Sequence, residues 1–444
     1  MLRRVIVLLG LAAGLLLASA SPAFAVQSYP LNFQTVDFSS GTLDDLVLND
    51  DGELQLADNG LGSFSYTDPF SSLPVLEHAV DGSGEYVSGT WTSDLYPMNF
   101  PFNELVSSWN SKTPPGTWIQ SEVRPLLDNG HLAKWYILGR WAYHDFVEDN
   151  PDPGFHRTSV GGQGDADGFV SIDTLFTKDH PAVAYRLRLT IFRRDGLTDT
   201  EAPVRVSRYS AVASNLTNQQ NRFPSQTDMQ RGHPIDLEVT PFSQETHHGE
   251  YPEFDNGGEA WCSPTSTAMV LNYWTRETGT QYAPTTGPNS ETSWVDSAFE
   301  DPEVDYTARY VYDYHYQGAG NWPFNTAYAA ERGLVSDVTQ LHNLREAEPF
   351  IRAGIPLVAS VAWHSNKLDG GIKSTNGHLM VIGGFTDTGN VIAYDPASPQ
   401  NEDVRHVYDR EQFEKAWIPA SGGIVYVDRP AGLLDESALT ANNN

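Results

Sequence analysis

The chain is 444 residues long and carries 57 acidic against 27 basic side chains, a formal net charge of −30 at pH 7. Such an excess of negative charge repels phosphate backbones and anionic lipid surfaces, which excludes nucleic acid and the membrane surface as expected partners. Cys262 is the single cysteine, so no disulfide can form within the chain and the fold must stand on its apolar cores.

Residues 1–25 read as a secretory signal peptide. Arg3 and Arg4 precede an apolar run from Val5 to Leu17, and Ala23-Phe24-Ala25 has the small-x-small form of a cleavage site. The apolar run is short for a membrane span, and no second stretch of about 20 apolar residues follows. The expected product is a secreted, extracellular protein with no membrane insertion, cleaved near Ala25.

From 26 to 218, strand-like runs recur between Gly, Pro, Asn and Asp clusters: GELQLA, GTWIQSEVRPLL, AKWYILGRWAYH, GFVSIDTLF and AVAYRLRLTIFRR. In the last, Tyr185, Leu187, Leu189 and Ile191 alternate with Arg186, Arg188 and Thr190, the mark of a strand with one buried face. Long helical periodicity is absent, so this region is expected to be an all-β sandwich or jelly roll. Two features there invite a ligand. Asp165, Asp167 and Asp173 could gather around calcium, although Asp167-Gly168 is also an ordinary turn and the twelve-residue calcium loop is missing. Trp109, Trp118, Trp135, Trp141, Arg157 and Arg188, if exposed together, could contact cell-wall glycan or peptide, although tryptophans in strands more often belong to a core.

The polar stretch 219–236 reads as a linker, with a second domain over 237–428 and a loose tail over 429–444. EVTPFSQ reads as a short strand leading to Gln244. GGEAWCSPTSTAMVLNYW then places Cys262 ahead of a helical run, Thr265 to Trp274, with Ser263 as N-cap and Pro264 at the first helical position. The positive end of a helix favours thiolate over thiol, and thiolate is the nucleophile. A buried, inert cysteine is the alternative, but an unpaired exported thiol is open to oxidation, which argues for a use. Further on, PFNTAYAAERG and LREAEPFIRAG read as helices, and IPLVASVAW, GHLMVIGGF, NVIAYDP and GGIVYVD as strands. DREQFEKAW reads as a helix capped by Asp409. Helices first and antiparallel strands second make an α+β domain.

A cysteine nucleophile needs a base, and the base an acceptor that orients it. His378 opens an apolar strand, and the strand that returns beside it ends at Asp395, so both lie near the open end of one hairpin. The hairpin register is not set by the sequence. The backbone N–H of Cys262 and the side-chain amide of Gln244 are candidate oxyanion donors, and Glu259 and Trp261 candidate cleft residues. His247, His248, Glu250 and Glu253 cluster as well, but without HExxH or paired-Cys spacing zinc is not expected, and the chemistry needs no cofactor.

With those residues in place, VTPFSQ, GGEAWCSPTSTAMVLNYW, GHLMVIGGF and NVIAYDPAS resemble the motifs of papain-like cysteine peptidases of the bacteriocin-leader-processing (C39-like) type, in a secreted bacterial form. The resemblance covers about 239–427. It implies a papain-like cysteine peptidase fold, with the family's nucleophile falling on Cys262, its base on His378, its orienting acid on Asp395 and its oxyanion glutamine on Gln244. Ser263 stands where family members often have Gly, and the spacing from Gln244 to Cys262 is longer than usual. The activity implied is cleavage of a peptide or protein substrate through a thioester. Acyl transfer of the transglutaminase type, and a non-catalytic surface or carbohydrate-binding protein on a peptidase-like fold, are the other readings. If the N-terminal domain blocks the cleft as a propeptide would, removing the residues before Leu237 should raise activity.

Overall fold

A computed structural model describes residues 29–434 and Leu439, less 59, 71–73, 76–77, 80–83, 145–154, 218, 220–221, 366 and 373. The expected signal peptide and most of the tail lie outside the described residues. No described helix is long and apolar enough to cross a membrane.

The N-terminal half forms two antiparallel sheets. One runs through Gly168–Ser171, Thr174–Thr177, Glu104–Lys112, Arg205–Ser214, Leu54–Leu56 and Leu46–Leu48, with Leu31–Thr35 beside Arg205–Ser214. The other is centred on Thr117–Leu127, Ala182–Arg194 and Gly84–Thr92. The two faces meet where Ser121 of the second sheet hydrogen-bonds Ser107 at 2.9 Å and Tyr209 at 2.7 Å, both of the first. The alternation in Ala182–Arg194 has the expected consequence: Tyr185, Leu187, Leu189 and Ile191 are fully buried, and Arg186 and Arg188 are only partly so.

The aromatic set does not form a binding face. Trp109, Trp141 and Arg157 are fully buried, and Trp118 lies in a second apolar cluster, stacked between Phe155 at 4.4 Å and Phe192 at 3.5 Å. Only Trp135 keeps a partly open ring, covered by the Arg188 guanidinium at 4.3 Å. Nor do the three aspartates converge. Asp165 accepts the N–H groups of Asp167 and Gly168 and the hydroxyl of Tyr136, which makes it the side-chain stop of a turn. Asp173 turns elsewhere: it accepts the Trp322 N–H at 2.8 Å and the Thr174 hydroxyl at 2.9 Å.

Among the described residues the C-terminal half has five α-helices with both ends described: α1 (Cys262–Thr278), α2 (Pro302–Val311), α3 (Trp322–Glu331), α4 (Leu344–Arg352) and α5 (Arg410–Ser421). They pack on an antiparallel sheet in the order Val335–Gln340, Ile424–Arg429, Leu357–Trp363, Thr375–Phe385, Val391–Tyr394, Arg405–Tyr408, with Ile235–Asp236 added beside Thr375–Phe385. Asp409 caps α5 by accepting the Gln412 N–H, as its sequence indicates. Two expectations shift. The short strand is Ile235–Asp236 rather than a run to Gln244, which instead opens a 3-10 turn, Gln244–His247. The stretch 219–236 is also not free. Ser225 and Thr227 donate to Glu414 and Glu348, and Arg410 reaches Ser225 at 2.8 Å, so this segment is bonded along the C-terminal half.

The two halves share one apolar core. Phe324 of α3 packs against Trp141 at 5.3 Å and Trp109 at 6.3 Å, both from the sandwich. Asn110 exchanges two hydrogen bonds with the backbone of Ser336, as if extending the sheet edge sideways. Asp173 anchors the start of α3 through the Trp322 N–H, one of the helix-terminal donors that has no partner inside the helix. Asp173→Ala is therefore expected to cost about 1–3 kcal/mol by leaving that buried donor unpaired. Urea denaturation of the pure protein measures it, and a change below the error of the fit would mean that water replaces the carboxylate.

Candidate active site

Cys262 is the first residue of α1, which starts two residues earlier than expected. Trp261 holds the N-cap position without a side-chain cap, and Ser263 does not cap the helix. The Ser263 hydroxyl instead meets the Tyr426 hydroxyl at 2.9 Å, tying the first turn to the closing strand. One turn on, the Ser266 hydroxyl donates to the carbonyl of Leu379, the residue after His378. Helix and strand are thus pinned together beside Cys262 and His378. Cys262 itself is partly exposed.

The approach to Cys262 needs its glycines. Gly257 has φ of 89°, a conformation L side chains rarely adopt. A Cβ on Gly258 would lie 2.3 Å from the Gln244 carbonyl oxygen and 2.5 Å from the His247 carbonyl carbon. The Gln244–His247 turn can therefore press directly against the turn that delivers Cys262.

His378 and Asp395 meet as the hairpin suggested. His378 Nε2–H donates to Asp395 Oδ1 at 2.7 Å, with both side chains buried. Strand pairing sets this: Val381 lies opposite Tyr394, and His378 lies opposite Val361 on the other side. Asp395 is held further by the Tyr408 hydroxyl on Oδ2 at 2.7 Å and the Ala397 N–H on Oδ1 at 3.0 Å. Burial works against its charge, but His378, Tyr408 and the Ala397 N–H together hold its pKa below the usual carboxylate range. Burial likewise works against a charged His378. The Asp395 charge and hydrogen bond, joined by the Cys262 sulfur, outweigh it and lift the imidazole to about 10. Trp363 stands edge-on to the ring at 6.0 Å and covers it on one side.

Cys262 and His378 line one cleft of about 570 Å3 together with Gln244, Glu245, Glu259 and Thr375. Gln244 is buried, and its amide donates to the Glu259 carbonyl at 2.7 Å and to the Glu245 carboxylate at 3.2 Å. Glu259 is exposed at the rim, beside His248. Trp261 does not line the cleft. It is fully buried, donates its indole N–H to the Phe254 carbonyl and packs near His247, so it shapes the turn. Two contributors had no signal in the sequence. Tyr408 lies on an unpredicted edge strand, and Ser171 to Thr174, with Phe176, form a wall of the cleft from the N-terminal sandwich.

Below the Gln244 turn, His247 Nδ1 lies 2.7 Å from Glu250 and 3.4 Å from Asp305 of α2, all buried. Their donor atoms lie within 4.8 Å of one another, the reach of a single ion. A proton on Nδ1 accounts for the approach. Against the pull of burial, the two carboxylates raise the His247 pKa to about 9. His248 and Glu253 take no part in this group.

The buried acids and histidines give stability a definite pH slope. Burial raises Asp173 and Asp428 to about 7, and His247 and His378 sit at about 9 and 10. All four are raised above their unfolded values of about 4 for the carboxyls and 6.5 for the imidazoles. The native state then binds more protons than the unfolded chain, and stability falls as pH rises. The carboxyl contribution is lost between about 4 and 7, and that of the histidines between about 6.5 and 10. Thermal melts at constant ionic strength should give a lower Tm at pH 9 than at pH 5.5. A higher Tm at pH 9 would contradict these assignments.

Residues 236–425 match the Peptidase_C39 like family, and residues 31–214 match the Peptidase C39 N-terminal domain. The C-terminal half belongs to the C39-like peptidase family, preceded by a C39 N-terminal domain. The sandwich is thus the family's N-terminal domain, and the α+β half has the C39-like peptidase fold. No curated protein matches the chain. Among solved structures, a candidate C39-like peptidase from Bacillus anthracis is 17% identical with a TM-score of 0.25, over 44% of this chain and 97% of its own. A carbohydrate-binding module of the β-sandwich superfamily is 8% identical with a TM-score of 0.15, over 42% of this chain and 55% of its own. Likenesses this low carry no argument about substrate.

Proposed function

We propose that this C39-like peptidase is an exported cysteine peptidase in which Cys262 is the nucleophile, His378 the general base and acid, and Asp395 the residue that orients His378. The observation that carries the reading is the His378–Asp395 hydrogen bond, 2.7 Å long and buried, beside a partly exposed cysteine in one cleft. Because Nε2 is taken by Asp395, Nδ1 is the nitrogen left to face the thiol. A hydrogen-bonded, ionised Asp395 stabilises the imidazolium that forms when the thiol gives up its proton.

His378, lifted to about 10, holds the proton of the Cys262–His378 pair, and the thiolate attacks the scissile carbonyl carbon. The oxyanion is met by the Cys262 N–H, one of the first helix donors without an intrahelical partner. The Gln244 amide supplies a second donor by turning one N–H away from the Glu245 carboxylate. His378 then gives its proton to the leaving amine as the C–N bond breaks. Water, activated by the neutral imidazole, cleaves the thioester and restores the thiol. The same intermediate would permit transfer to an amine, and the cleft does not favour one acceptor over water.

Export rests on the sequence features of residues 1–25. The deciding experiment is turnover of a fluorogenic peptide library by the mature protein and by Cys262→Ala. Equal cleavage by both would remove Cys262 from the mechanism.

A further inference from the structure

Between the sandwich and the C-terminal half lies a second cavity of about 320 Å3, next to the cleft. Phe176 and Leu216 enclose it from one side, and Trp322 and Ala420 from the other. Thr174, Phe176, Trp322, Ala420 and Ser421 line both this cavity and the cleft that holds Cys262, so the two spaces are contiguous.

Glu104 opens into this cavity from the first residue of its strand. Its backbone is fully accounted for, facing Phe176 on one neighbour and Ser214 on the other. Its carboxylate has no such account. Among the described residues it makes no hydrogen bond or ion pair, and no Lys, Arg or His lines the cavity. Burial alone raises its pKa to about 7. Glu104 is half-buried in a wall of apolar side chains such as Leu105 and Phe176 and polar ones such as Ser214 and Gln340, and its carboxylate has neither a counter-ion nor a fold-stabilising contact there.

We propose that this cavity takes the cationic side chain, Lys or Arg, of a peptide lying across the Cys262 cleft, with Glu104 as its counter-ion. The proposal rests on the peptidase reading for the peptide itself. Such a side chain has an apolar stem and a charged head. Phe176, Leu216 and Trp322 suit the stem, and the unpartnered carboxylate suits the head. The net charge of −30 adds a long-range attraction for basic peptides over acidic ones. A neutral isostere would fill the same space, shut water away from the half-buried Glu104 carboxylate and leave it unpaired, and that is what would make the site selective.

The test separates the cavity from the chemistry. Cys262→Ala protein is titrated with a peptide series in which lysine, or norleucine in its place, is moved through successive positions. At one position lysine should bind about tenfold tighter than norleucine, and Cys262→Ala/Glu104→Gln should lose that preference while binding norleucine peptides as before. Equal or undetectable binding of the two series, or a lysine preference that survives Glu104→Gln, would overturn the proposal. Turnover of the same peptides by the wild-type protein reports on the other reading. Lysine-selective binding with no cleavage counts against the peptidase alone, and cleavage indifferent to lysine counts against the cavity alone.

Discussion

Cys262→Ala is expected to lower peptide cleavage by about ten-thousand-fold or more, to the level of the uncatalysed reaction plus whatever binding and oxyanion contacts contribute. His378→Ala should be nearly as damaging, because the nucleophile and its base act as a unit, and the double variant should be scarcely worse than either single one. That non-additivity distinguishes the proposed pair from two residues that merely line the same cleft. Asp395→Asn tests the third role. The amide could still meet His378, but it could not stabilise the imidazolium, so activity should fall while the melting temperature moves less. Kinetics on the three single variants and the double variant, at one pH and ionic strength, supply the measurement. Independent, multiplicative losses from Cys262→Ala and His378→Ala would sink the proposed coupling. Alkylation offers a check that needs no substrate: iodoacetamide should modify Cys262 more slowly in His378→Ala than in the wild type at neutral pH.

Asp337→Ala should produce the largest loss of stability, about 3–5 kcal/mol. Asp337 is fully buried on the strand that joins the halves. Its two oxygens bind Arg208 of the sandwich at 2.7 Å and Arg429 of the closing strand at 3.0 Å, and it also accepts the Ser210 hydroxyl. Removing it takes from two guanidinium groups the carboxylate they share, in a place water cannot readily reach. Denaturant unfolding reads the loss, and a change under about 1 kcal/mol would mean that the cluster behaves like a surface ion pair. The same interface bears on removal of the residues before Leu237. Phe324, Asp337 and the start of α3 would lose their covering side chains and partners. Truncation is therefore expected to abolish folding and activity together. A soluble, more active C-terminal fragment would restore the propeptide reading.

Much of the site was readable because each member sits at a local boundary. Cys262 precedes a helical run, His378 opens an apolar strand, and Asp395 ends the strand beside it. Glycine before the helix and proline after Asp395 mark those boundaries through backbone constraint, which short sequence windows express well. Ser263 misled because Ser before Pro suits an N-cap, whereas its hydroxyl is drawn to Tyr426, 163 residues away. Trp261 misled because a tryptophan beside a nucleophile suits a cleft, whereas the indole is committed to the core beneath the turn. Tyr408 and Glu104 carried no signal, and Asp173 signalled calcium rather than its bond to Trp322, since each matters only through partners far along the chain.

The amino-acid sequence by itself determined which residues could be nucleophile, base and orienting acid, and that strands dominate one half and helices with strands the other. Those properties follow from periodicity, capping and turn chemistry, which act over a few residues. The tertiary structure alone decided that His378 reaches Asp395, because that depends on strand register. It also decided that the sandwich completes the cleft and shares its core with the other half. Burial of Trp109, Trp141 and Asp337 at that junction is a property of two surfaces meeting, and no local window contains both of them.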